Sequence, residues 1–200
     1  MTDLAARPTA GSRVDPRVVR SREAVLATTA ALLADVGLAG VTVEAIAHRS
    51  GVAKTTIYRH WPEISQLVID AVTSVAAPCV RPDTGSLRGD LNELVKGLAR
   101  TLTVAPTAKV IPSLVDAAER DPDLARLQRA WVKERRSGTR DAFVRAQARG
   151  EIGGDVDLDL VTTMLSSPLF YRRLVSHEPL SPRFLERVVD AVMAIVASQS

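Results

Sequence analysis

The spacing of apolar positions predicts a chain of helices. Between Pro16 and Gly37, the residues Val25, Leu26, Ala30, Leu33 and Val36 recur every three or four positions, on one face of a helix. Pro16 suits its first turn, and Gly37 stands in the usual place beyond its end. Thr42 is a good N-cap for a second, short helix, about Val43 to Ser50, whose inner face is Val43, Ile46 and Ala47. Gly51 breaks it, and a third helix is predicted from about Lys54 to His60. Pro62 starts a fourth, to about Ala77, striped by Ile64, Leu67, Val68, Ala71, Val72 and Val75. The stretch "APCVRPDTGS" has the composition of a loop. Further helices are expected near Leu87–Val104, Thr107–Arg120, Pro122–Arg149, Leu158–His177 and Pro182–Ala197. No strand pattern and no internal repeat emerges, so the fold class is all-α, with about nine helices.

Composition narrows the function classes. Of the 200 residues 46% are apolar and only 4% aromatic, which suits packed helices better than a sandwich or barrel. The longest uncharged stretch, Leu160 to Tyr171, is 12 residues, short of the roughly 18 needed to span a bilayer. The first residues, "MTDLAARPTAGSRVDPR", contain no apolar leader, and Cys79 has no second cysteine to pair with, so a cytoplasmic protein is expected. Net charge is +3, with eight Lys/Arg against five acids in residues 1–60 and 18 of each sign after that. The positive excess thus lies in the first third.

Several site chemistries fail on inspection. "DVDLDL", Asp155 to Leu160, begins like a calcium loop, but Leu160 stands where the turn glycine belongs and Ser166 where the bidentate Glu belongs. A helix cap is the better reading of those carboxylates. His48, His60 and His177 have no zinc spacing, and neither a Gly-rich phosphate loop nor a nucleophile–base motif occurs. No enzyme, metal or cofactor is expected.

The pair of short helices around Gly51 has the internal spacing of a helix-turn-helix. A small Ala47 lets two helices cross closely, Gly51 permits a left-handed turn, and Ile46, Val52 and Ile57 fill the inner corner. The outer side chains of the third helix are then Lys54, Thr55, Thr56, Tyr58, Arg59 and His60, all able to hydrogen-bond from within a major groove. "TVEAIAHRSGVAKTTIYRHWPE" resembles the DNA-binding segment of TetR/AcrR-type transcriptional regulators, with its T-x-x-x-I-A-x-x-x-G-V-x-x-x-x-x-Y-x-x-[FW] pattern. The likeness covers roughly residues 17 to 70. "DTGSLRGDL" and "SSPLFYRRLVSHEPL" are similar to one type of ligand-binding half in that family.

Residues 1–16 mix Pro, Gly, Thr and Arg without periodicity and are expected to form a flexible arm. The resemblance implies 17–64 as the DNA-binding domain and 65–200 as a ligand-binding and dimerisation domain. It implies Tyr58 and His60 on DNA phosphates, Thr42 on another phosphate, Lys54, Thr55 and Thr56 in the major groove, and Arg59 on bases or backbone. Arg7, Arg13 and Arg20 either follow the DNA or are merely solvated. Two positions depart from the family: Ala53 replaces the usual Ser or Thr cap of the recognition helix, and Ile64 stands where many members have a Lys. In the larger half, Trp131, Phe143, Met164, Phe170, Tyr171 and His177 are candidates for lining a small-molecule cavity, with a plain core role as the alternative. A homodimer is implied through the last two helices, by a stripe of Leu174, Phe184, Leu185, Val188, Val189, Val192 and Ile195. The function implied is a ligand-responsive regulator, most often a repressor, binding a pseudo-palindromic operator and released by a small-molecule effector. Two alternatives stay open: a constitutive DNA-binding factor, and a helical adaptor whose helix-turn-helix binds protein.

Overall fold

Capping residues set most of the helix boundaries. In the computed structural model, which describes residues 15–104 and 106–199, nine α-helices and one short 3-10 turn account for the regular structure among the described residues. The helices are α1 (Pro16–Val36), α2 (Val43–Ser50), α3 (Lys54–His60), α4 (Ile64–Val75), α5 (Leu87–Thr103), α6 (Thr107–Ala118), α7 (Pro122–Ala148), α8 (Leu158–Leu174) and α9 (Pro182–Ser198). Side chains of Asp15, Thr42, Ser86, Asp121, Asp157 and Ser181 each accept a backbone N–H from the first turn that follows. The acidic "DVDLDL" run is therefore a cap: Asp157 takes the N–H groups of Asp159 and Leu160 at 3.0 Å each. The proposed arm, residues 1–16, falls almost wholly outside the described residues.

The structure departs from the sequence reading at several helix ends and connections. Pro62 lies in a bend, and α4 begins two residues later at Ile64, because the chain must first turn after Trp61 closes α3. The 3-10 turn Leu38–Gly40, between α1 and α2, has no periodic signature. Helix α8 stops at Leu174, where the N–H groups of Val175 and Ser176 both turn back to the Tyr171 carbonyl. His177 follows with φ 53°, a left-handed conformation that no helix can absorb.

Two apolar cores organise the packing. The first joins α1–α4 to Val110, Leu114 and Ala117 of α6 and Leu124 of α7. The second gathers α5, the far end of α7, α8 and α9. Gly138, buried within α7, sits where a Cβ would lie 2.5 Å from the Val80 carbonyl oxygen, so its missing side chain lets the α4–α5 connection lie directly on α7.

The stripe expected at a subunit interface belongs largely to this second core. Leu185, Val188, Val189 and Val192 are buried within their own chain, chiefly on the side facing α5 and α8. Only Leu174, Phe184 and Ile195 keep accessible apolar surface. Periodicity identifies a buried face but not the chain that buries it. The apolar residues left in the open on this side are instead Leu160, Met164, Tyr171 and Val175, spaced along one edge of α8.

Candidate nucleic-acid interface

Helix α3 has seven residues, too few to be stable alone. It is held from three sides. Ile57, at its centre, is 1% exposed and meets Ile46 of α2 and the α1 stripe in the first core. Gly51 turns the chain at φ 71°, ψ 10°, and the Ser50 hydroxyl accepts the Val52 N–H at 3.2 Å across that turn. The third support lies at the far end. Trp61 is 4% exposed, and its indole N–H donates to Asp70 Oδ2 of α4 at 2.9 Å. Asp70 also accepts from Gln66 Nε2 at 2.8 Å and Arg22 Nη2 of α1 at 3.3 Å, while the Arg22 guanidinium stands 5.5 Å from the Trp61 ring centre. Sequence reasoning treated position 61 only as a pattern aromatic. The Asp70 partner carries no local signal, because nine residues separate it from the tryptophan.

At about 100° per residue, a helix that buries Ile57 turns Thr55 and Arg59 outward, leaves Thr56 and Tyr58 on its flanks, and brings Lys54 and His60 to within about 60° of the buried line, where their places at the two ends of so short a helix leave them open. The observed exposure agrees: Lys54, Thr55, Tyr58, Arg59 and His60 are exposed, and Thr56 is half-buried. Tyr58 is 51% exposed despite its large ring. The side chains of Thr55, Thr56, Tyr58 and Arg59 make no hydrogen bond or ion pair with any described residue. His60 lies beside the Trp61 ring, at 5.7 Å between centroids. These donors and acceptors are thus gathered, unengaged by the described residues, on one small helix.

Two members of the set are already engaged. Lys54 Nζ lies 2.6 Å from Glu44 Oε1 on α2, and that hydrogen bond holds the Glu44 carboxyl below its ordinary range. Lys54 must exchange this carboxylate for any phosphate or base. The Thr42 hydroxyl accepts the Ala45 N–H at 3.1 Å, so it is exposed but serves first as a cap. Ala53 gives α3 no side-chain cap. Ile64 packs against the first core, so this position contributes burial here.

The candidate small-molecule residues are scattered. Phe143 is wholly buried in the second core, Phe170 packs against it, and Trp131 packs against the first core with its indole N–H unpartnered. Met164 and His177 are exposed. Only Tyr171 borders a described cavity, a shallow one of about 310 Å³ near the start of α9. The larger cavity, about 820 Å³, lies between α7 and α8 and is lined by none of the six. The sequence reading followed aromatic side chains, whereas this cavity is walled mostly by charged ones.

Comparison with known proteins agrees with this geometry. Residues 25–71 match "Bacterial regulatory proteins, tetR family", and residues 81–192 match "Tetracyclin repressor-like, C-terminal domain". The HTH-type transcriptional regulator YdeS of Bacillus subtilis is 30% identical over 188 residues, covering 92% of this chain and 94% of its own. The DNA-binding transcriptional repressor TetR of Mycobacteroides abscessus is 34% identical over 158 residues, 78% of this chain and 80% of its own. Among solved structures, the TetR family transcription regulator SCO0332 superposes with a TM-score of 0.68 at 31% identity, over 88% of this chain and 98% of that one. Salmonella enterica GusR shares the fold, with a TM-score of 0.76 at 18% identity over 94% of this chain and 100% of that one. The protein is a member of the TetR family of DNA-binding transcriptional regulators, and not an enzyme.

Proposed function

We propose that the protein is a dimeric, ligand-released repressor that reads a pseudo-palindromic operator with α3. The observation that carries the reading is the outward face of α3: Lys54, Thr55, Tyr58 and Arg59 project together from a helix fixed by Ile57 and Trp61. In this reading Tyr58 and His60 bond phosphates, Lys54, Thr55 and Thr56 enter the major groove, and Arg59 reaches a base edge or the backbone. Thr42 meets a phosphate at the start of α2. Repression itself is argued from the M. abscessus relative, which is named a repressor.

Two recognition helices about 34 Å apart would engage successive major grooves on one side of the duplex. We place the dimer contact on the exposed edge of α8, Leu160, Met164, Tyr171 and Val175, beside the accessible parts of Leu174, Phe184 and Ile195. Residues 17–64 form the DNA-binding unit and 65–200 the remainder, with α4 and α6 crossing between them. An effector bound in the larger half would act through these two helices. Helix α4 holds Trp61 through Asp70, and α6 inserts Val110 and Leu114 under α1 and α4. By linkage the effector would weaken DNA binding by the same factor as DNA weakens effector binding.

The test is to select sites from random duplex DNA with the full chain and then compare Tyr58→Phe on the selected sequence across a salt series. A two-fold sequence is expected. The variant should lose about 1.5–3 kcal/mol, one hydrogen bond to a charged phosphate, without a change in salt slope because the tyrosine itself carries no charge. A selection that enriches no two-fold sequence, or a variant that binds as tightly as wild type, would refute the assignment.

A further inference from the structure

The α7–α8 cavity carries an unbalanced charge. Arg129, Lys133, Arg136 and Arg140 line it at intervals of four, three and four residues along α7, against Glu134 and Asp159. Those two acids do not neutralise it. Glu134 stands 3.8 Å from Arg81 of the α4–α5 connection, outside the cationic row, and Asp159 lies only loosely beside Arg140, at 3.9 Å. Arg136 is held in place by neutral acceptors, the Thr163 hydroxyl at 2.6 Å and the Asp159 carbonyl at 3.3 Å. That leaves its charge uncompensated and its position fixed. Arg129 and Lys133 make no ion pair or hydrogen bond with any described residue. Elsewhere on the surface the cations are commonly paired, as in Arg88–Asp190, Arg120–Asp116 and Arg172–Glu178.

A second observation points the same way. Thr162, also on the cavity wall, is 3% exposed, and its hydroxyl has no hydrogen-bond partner. A buried hydroxyl without a partner costs roughly 1–3 kcal/mol, and it persists where something other than the chain satisfies it. Between the charges the wall is apolar, formed by Ala130, Val132 and the hydrocarbon stems of the long side chains. A volume of about 820 Å³ is within the range of small-molecule sites.

We propose that this cavity binds a small organic anion of the carboxylate class with an apolar body, and that this molecule is the effector. Arg136 supplies a preset planar fork for the carboxylate, Arg129 and Lys133 supply attraction, Thr162 supplies a neutral hydrogen bond, and Val132 meets the apolar body. The effector role rests on the ligand-released reading above; the binding site does not.

The test is calorimetry on the full chain with matched probes, benzoate against benzamide and naphthoate against naphthamide, which differ in charge and little in shape. The carboxylate of a pair should bind at least about tenfold more tightly than its amide, the effect of one hydrogen bond to a charged group. In the exposed, fold-neutral double variant Arg129→Gln with Lys133→Gln this preference should fall severalfold, leaving only what Arg136 supplies. Thr162→Val should weaken the carboxylate while raising the melting temperature of the free protein, because it removes an unmet polar group. Equal affinity within each pair, no carboxylate binding tighter than about 1 mM, or a double variant whose preference is undiminished would overturn the site. Operator binding, measured with and without naphthoate, separates the two readings. If the chain fails to bind operator even without naphthoate, the repressor reading falls. If it binds operator and naphthoate but naphthoate leaves operator affinity unchanged, the effector role falls.

Discussion

The Trp61–Asp70 hydrogen bond is the contact on which the orientation of α3 should depend most. Trp61 is 4% exposed, so its indole N–H has no water to turn to when Asp70 is removed. Asp70→Ala should therefore cost about 2–3 kcal/mol, the penalty of an orphaned buried donor plus the loss of a bond to a charged group. Arg22 adds little to that sum, because its side chain is 50% exposed and its ion pair is screened. Trp61→Phe keeps most of the ring but leaves the Asp70 carboxylate, 28% exposed, to Gln66, Arg22 and water. It should cost about 1–2 kcal/mol. Because the two changes delete the same bond, the double variant should be less destabilised than their sum by about 1.5–3 kcal/mol. A domain stable by about 5–15 kcal/mol survives all three changes, so urea denaturation can measure the cycle. Fluorescence anisotropy with operator DNA should show the functional side: both single variants stay folded yet bind more weakly, since α3 loses its fixed end. A coupling energy within about 0.5 kcal/mol of zero would show that the contact is incidental.

What the sequence revealed of this machinery was its local part. Thr42, Gly51, Asp121 and Ser181 act within three or four residues of themselves, through a capping bond or a permitted backbone angle, so their meaning is written beside them. The helix-turn-helix was legible for the same reason: Ile46, Gly51 and Ile57 form one compact corner. Trp61 shows where that stops, because its partner is fixed only once α3 and α4 have packed. Val189 shows it again. Its stripe had the right period for a subunit interface, but α5, nearly a hundred residues earlier in the chain, comes back to cover it. Gly138 gave no signal at all, since only the folded chain brings the Val80 carbonyl over it. Arg129 and Lys133 carry no local signal of a site, because only the packing of α8 beside α7 encloses the space they line.

Three further outcomes follow from the same geometry. Ala53→Ser should supply the missing cap of α3 and stabilise the protein by about 0.5–1 kcal/mol, a rise of a few degrees in melting temperature; an unchanged melting curve would mean the first turn is not limiting. Met164→Glu combined with Tyr171→Glu should turn the proposed dimer into a folded monomer in sedimentation experiments, while Val189→Ala should cost about 2 kcal/mol of stability and leave association intact. If the two results were exchanged, the dimer would use the α9 stripe after all. The last outcome concerns Asp90, which is fully buried and accepts the Thr84 N–H at 2.7 Å, the Thr84 hydroxyl at 2.9 Å and Arg145 Nη2 at 3.2 Å. Burial pushes this carboxyl up, but the Thr84 and Arg145 bonds outweigh it and hold it below its ordinary 3.8. A depressed folded-state value means the stabilisation is complete above the unfolded value, about 3.9, and is lost as pH falls from there through the folded one. Asp90→Asn should cost about 3 kcal/mol at neutral pH, since it leaves Arg145 without its buried partner. Its unfolding free energy should also vary less with pH below about 4 than that of wild type, and parallel profiles across that range would show that Asp90 is not the group whose protonation loosens the α4–α5 connection.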